Sequence, residues 1–103
     1  MNKLLLLITT VPSAGLAKDI AKSLVERKLA ACVSLQEVNS VYSWESRIEQ
    51  NKEIELKIKS TPEKLNKIIE FLKESIVYEV PQLIFKLFDS EANYFNWVRE
   101  SVN

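Results

Sequence analysis

Glu53-Ile54-Glu55-Leu56-Lys57-Ile58-Lys59 alternates charged and aliphatic side chains without a break. Successive side chains of a β-strand point to opposite faces, so strict alternation over seven residues describes a strand with one face in a core and one in water. Ile54, Leu56 and Ile58, with Ile48 further back, take the buried face. Glu53, Glu55, Lys57 and Lys59 take the other.

Upstream, a polar turn at Glu45-Ser46 separates this strand from residues 31–44, which are rich in β-branched and aromatic residues and alternate in part. They read as one long strand, kinked near Glu37, and the two strands as an extended hairpin. Further back, Ser13 can cap a helix running to about residue 29. Its apolar positions Ala17, Ile20, Ala21, Leu24 and Val25 fall at helical spacing, with charged residues on the opposite side. Ahead of it, Leu4-Leu5-Leu6-Leu7-Ile8 is too short for a signal peptide or a membrane span and fits a strand covered on both faces.

Downstream, Thr61-Pro62-Glu63 combines a capping hydroxyl, a proline whose missing N–H costs nothing at the first helical position, and an acid in the first turn. Leu65, Ile68, Ile69 and Leu72 continue it as a helix. Residues 78–88 read as a last strand with Pro81 near its start or on an edge, and a short helix follows the cap candidates Asp89 and Ser90, with Tyr94, Trp97 and Val98 turned inward. The order β-α-β-β-α-β-α predicts an α+β fold: a ferredoxin-like sandwich of two helices on one face of a four-stranded antiparallel sheet, with an extended β2–β3 hairpin and a C-terminal helix. The whole chain, residues 1–103, forms one domain.

Composition narrows the functions. Apolar residues are 47% and charged residues 27% of the chain, the balance of a folded globule. Fourteen basic and fourteen acidic side chains cancel, so no overall field draws in nucleic acid or an anionic membrane. Cys32 is the only cysteine, which fits a reducing compartment and a cytoplasmic protein. There is no histidine, hence neither the commonest general base nor the commonest metal ligand. An acylphosphatase-like hydrolase would need a phosphate-cradling loop and an arginine, and neither Arg27 nor Arg47 follows a glycine-rich segment. An RNA-recognition module would need exposed rings on the central strands, where this chain has aliphatic residues on one face and mixed charge on the other. The sequence predicts no enzyme.

In order and spacing, several segments resemble the CutA family of divalent-cation tolerance proteins. They are Thr10-Val11-Pro12, Leu29-Ala30-Ala31-Cys32-Val33, Ser40-Val41-Tyr42-Ser43-Trp44-Glu45, the alternating strand, Tyr78-Glu79-Val80-Pro81, and Tyr94 with Trp97. The resemblance implies a subunit whose long hairpin pairs with neighbours around a threefold axis in a homotrimer, and an association with divalent metals, chiefly copper, with no obligatory cofactor. This chain departs from the family pattern at Ile76 and Val77, where histidine and proline are common, at Thr9, where some members have cysteine, and at Ser46, where glycine is usual. The copper site proposed for some relatives cannot exist here in that form.

Two roles are open to Cys32: a small buried strand residue, or a soft copper(I) ligand repeated around the axis. Glu45, Glu53 and Lys59, with Glu49, Glu55 and Lys57, are either a charged inter-subunit cleft for a metal ion or small ligand or a solvated row of weak ion pairs. Tyr42, Trp44, Tyr78 and Glu79 are candidates for the same cleft, and the aromatic residues, Tyr94 and Trp97 among them, suit subunit contact equally well.

Overall fold

The computed structural model describes residues 2–103. Its elements are β1 (Lys3–Val11), α1 (Ala14–Glu26), β2 (Cys32–Trp44), β3 (Arg47–Ser60), a single 3₁₀ turn (Pro62–Lys64) leading into α2 (Leu65–Ser75), β4 (Ile84–Asp89) and α3 (Ala92–Ser101). The strands form one antiparallel sheet in the order β2-β3-β1-β4, the ferredoxin-like arrangement expected from the order of elements.

The register assigns the faces. Leu5, Leu7, Thr9 and Val11 of β1 lie opposite Ser60, Ile58, Leu56 and Ile54 of β3, and all eight share the face that α1 and α2 cover. Ala17, Ile20 and Leu24 of α1 and Ile68 and Leu72 of α2 complete this core. The alternating stretch behaves as its pattern requires: Leu56 and Ile58 are fully buried. On the opposite face α3 buries only Val98 and the following Val102, against Leu4 and Ala31.

Ser13 caps α1, its hydroxyl accepting from the Leu16 amide at 3.3 Å. The helix stops at Glu26, short of residue 29, because Lys28 turns to φ 59° and the Leu29 amide donates back to the Leu24 carbonyl at 2.9 Å. Val25, expected on the apolar stripe, is exposed.

Among the described residues one buried side-chain polar atom finds no partner: the Thr9 hydroxyl, wholly enclosed opposite Leu56. An unsatisfied buried hydroxyl costs about 1–3 kcal/mol, and valine has nearly the same shape. Thr9→Val is therefore expected to stabilise the fold by about 1 kcal/mol, read from the denaturant midpoint.

The hairpin is the most extended feature. β2 and β3 pair from Cys32↔Lys59 to Trp44↔Arg47 in one register that runs through Glu37 without a bulge, whereas β1 reaches β3 only as far as Ile54. Beyond that row, residues 38–53 form a two-stranded ribbon with no third strand, about 20 Å long at ~3.3 Å per residue. The chain measures 45 × 25 × 22 Å, and its radius of gyration, 14.3 Å, exceeds the ~13 Å of a compact chain this size. Glu45 at φ 50° and Ser46 at φ 63° close the hairpin in the doubly left-handed turn that suits its twist. A non-glycine residue there is strained, so Ser46→Gly is expected to raise stability by about 0.5–1 kcal/mol in thermal or denaturant unfolding.

Two expectations fail. Residues 78–83 are not strand: β4 begins at Ile84, because Pro81 has no N–H to give the ladder and the segment before it leaves the sheet. Tyr94 and Trp97 do not face inward. Tyr94 and Trp97 are 39% and 48% exposed, their rings stand 5.7 Å apart, and α3 is capped by Glu91 in place of Asp89 or Ser90.

Candidate functional site

In a hairpin turned at Glu45 and Ser46, even-numbered residues of β2 share a face with odd-numbered residues of β3. Ser40, Tyr42 and Trp44 thus project on the same side as Glu53, and the register with β1 adds Thr10. This is the face turned away from α1 and α2. The irregular segment after α2 runs alongside, contributing Val77, Tyr78, Glu79 and Val80, and together they enclose an open groove of about 850 Å³.

Glu53 is at its centre. The residue is only 8% exposed, and one carboxylate oxygen accepts a 2.6 Å hydrogen bond from the Tyr78 hydroxyl. Burial pushes its carboxyl up, but hydrogen bonds from Ser40, Tyr78 and Thr10 outweigh burial and hold it below the usual carboxylate range. The Tyr78 hydroxyl is driven well above its ordinary range, first by burial and then by its bond to Glu53 and the charge there. A carboxylate held below its unfolded value stabilises the fold at any pH above that value, about 4.3, and the contribution fades as pH falls through the folded value. Glu53→Gln is accordingly expected to lose stability at pH 7 and to show a shallower acid dependence between about pH 4.5 and 3, read from denaturant midpoints across pH.

The sequence candidates divide into three places. Tyr42, Trp44, Glu53, Tyr78 and Glu79 line the groove. Glu45 sits in the hairpin turn, and Glu49 lies opposite Tyr42. Lys59 lies elsewhere: it is paired with Cys32, six residues along β3 and about 20 Å from Glu53, and its ammonium donates to the Ser34 hydroxyl at 3.1 Å. Glu55 and Lys57 form a 3.7 Å ion pair with each other. The expected row of charge along β3 is therefore three separate arrangements. Cys32 is partly exposed beside Lys59 and near Tyr94, whose hydroxyl is pushed up by burial and then by Cys32.

Sequence reading missed Ser40 and Thr10 as parts of the site. Both stand in segments noted for other reasons, and the signal for Ser40 was the turn itself, which fixes that it shares a face with Glu53.

Metal donors do not assemble. Among the described residues no three His, Cys, Asp or Glu side chains come close enough to hold an ion. Zinc and copper(II) draw on three or four such donors, copper(I) on two or more thiolates, and Cys32 is the only thiol in the chain, with an ammonium-bearing residue across the ladder. The single chain does not fit a tight metal site. No helix among the described residues is long and apolar enough to cross a membrane.

The family model described as CutA1 divalent ion tolerance protein matches residues 5–101. A Protein CutA homolog of Xenopus laevis is 37% identical over 95 residues, covering 90% of this chain, which spans only 63% of that relative. The divalent-cation tolerance protein CutA of Thermus thermophilus is 34% identical over 96 residues, 91% of this chain and 93% of that one. The solved structure of CutA from Synechococcus elongatus superposes with a TM-score of 0.95 at 32% identity, over 100% of this chain and 93% of the other.

Proposed function

Because the chain belongs to the CutA1 divalent ion tolerance family, we propose that it is a cytoplasmic, non-catalytic homotrimer that serves the response to divalent metal, copper foremost, by binding a small ligand in the groove around Glu53.

The observation that carries this reading is the amount of apolar surface the isolated subunit leaves in water. Its accessible area is 6709 Å², against about 6,000 Å² for a compact monomer of 11.9 kDa. Large apolar side chains are exposed at both edges of the sheet. Val41 and Ile48 on the free ribbon are 66% and 70% exposed, and Ile84, Phe85, Leu87 and Phe88 are exposed on both faces of the other edge strand. Unpaired edges with apolar side chains invite another strand, and a closed ring of three copies would cover both edges of every subunit. The ribbon that carries Tyr42 and Trp44 would then be held between neighbours, and the groove would become a cleft at the subunit boundary.

Light scattering at micromolar concentration tests the assembly: a mass three times 11.9 kDa is expected, and a monomer mass would overturn it. The metal role is tested by titrating the reduced protein with copper and zinc against a competing chelator, beside Cys32→Ser. With no donor set in one subunit, no tight stoichiometric binding is expected, and metal then acts on the protein through its ligand or partners. Tight binding lost in Cys32→Ser would instead show thiolates brought together across the assembly.

A further inference from the structure

Resting on the reading of the groove as a ligand site, we propose that its ligand is an organic cation, an alkyl- or arylammonium whose charged head lies against Glu53 and whose body packs on Tyr42 and Trp44. The only ionisable acids or bases lining the groove, phenols aside, are Glu53 and Glu79; no lysine or arginine lines it. The two ion pairs among the described residues are Lys3–Asp89 and Lys57–Glu55, so neither groove carboxylate has a cationic partner.

Glu53 is the unusual member. The residue as a whole is more than nine-tenths buried, and its carboxylate is held by neutral hydroxyls. A buried charge without a counter-charge is costly, and a bound cation relieves that cost. Three aromatic side chains, Tyr42, Trp44 and Tyr78, line the same groove. Ring faces attract ammonium groups, most strongly those too alkylated to be well hydrated.

A hard divalent ion would be served worse here. It needs six or more oxygens, several of them charged, whereas an ammonium needs one carboxylate, hydroxyl acceptors and apolar walls. An anionic ligand would face two carboxylates and no cation. The chain's net charge is zero, so a preference for cations can only come from the groove.

Three probes of one shape test this: benzyltrimethylammonium, benzyl alcohol and benzoate, titrated into the full chain carrying Trp97→Phe so that Trp44 alone reports by fluorescence. Trp97 is not among the residues that line the groove. The cation is expected to bind at least tenfold tighter than the alcohol and to weaken as salt is raised, with benzoate weakest. Glu53→Gln keeps an acceptor for Tyr78 and should abolish the tenfold preference, and Glu79→Gln, on the exposed rim, should reduce it about threefold with the fold untouched. Equal binding of cation and alcohol overturns the inference while leaving the groove a ligand site. If no probe binds, both fall. A cation preference in a sample whose mass is that of a monomer supports the inference and removes only the trimer, since every groove residue named comes from one chain.

Discussion

Lysine in place of both Phe85 and Leu87 is expected to turn a particle of three chains into single folded subunits of 11.9 kDa, read by light scattering and by unchanged far-ultraviolet circular dichroism. Both side chains lie on one face of β4, the outer strand of the sheet, and each is about half exposed in the subunit. Burying a large apolar side chain fully is worth about 1.5–3 kcal/mol, so covering the exposed half of each contributes about 1.5–3 kcal/mol per contact for the pair. That is a factor of roughly 10 to 150 in each association constant, before the cost of desolvating two ammonium groups is added. Neither side chain belongs to the buried core, and each is exposed enough for a lysine to reach its ammonium into water. An assembly that persists with both lysines would place the subunit contact elsewhere.

The largest loss within a subunit is expected from Leu56→Ala, at about 3–4 kcal/mol, within the range seen for buried leucines. Leu56 is fully buried in the core that joins the sheet to α1 and α2, and it lies opposite the enclosed Thr9. The cavity left by alanine is walled by strands pinned on both sides, β1 and β2, and has little room to collapse. For a domain of about 100 residues each kcal/mol moves the melting temperature by roughly 4–8 °C, so a fall of about 12–30 °C is expected in the assembly-deficient background. Ile48→Ala, eight residues earlier on the same strand face and near the hairpin's tip, should change that background by less than about 0.5 kcal/mol, because Ile48 is 70% exposed there. A clear loss in the assembled protein alone would show that the ribbon is covered by a neighbour.

The contrast between Leu56 and Ile48 also marks how far sequence carries. Alternation assigns both to one strand face, and it does so correctly, but burial depends on what lies over that face: helices over Leu56, nothing in the same chain over Ile48. The helix starts were legible because capping and proline chemistry are local, as at Ser13 and Pro62, but the Thr61 hydroxyl makes no capping hydrogen bond and a 3₁₀ turn precedes α2. Residues 78–83 were not, because their apolar composition matches a strand's while Pro81 withholds the ladder hydrogen bond and the groove, not the sheet, takes up Tyr78 and Val80. Trp97 misled for a related reason: a short helix resting on one side of a sheet buries a single narrow stripe, here Val98 and Val102, and its rings turn to each other. In the site, Glu53, Tyr42 and Tyr78 came from resemblance, but that Glu53 stands apart from Glu55, Lys57 and Lys59 is a matter of partners across the sheet, which a one-dimensional row of charges does not display.

The strand order β2-β3-β1-β4 also bears on how the chain comes off the ribosome. β1 is synthesised first, yet its two neighbours are β3, which ends at Ser60, and β4, which starts at Ile84. Until β4 has emerged, the most apolar strand carries an open edge on the side that β4 will occupy. A nascent chain stalled before Ile84 would be a substrate for holding chaperones, and the sheet can close only once β4 has been made.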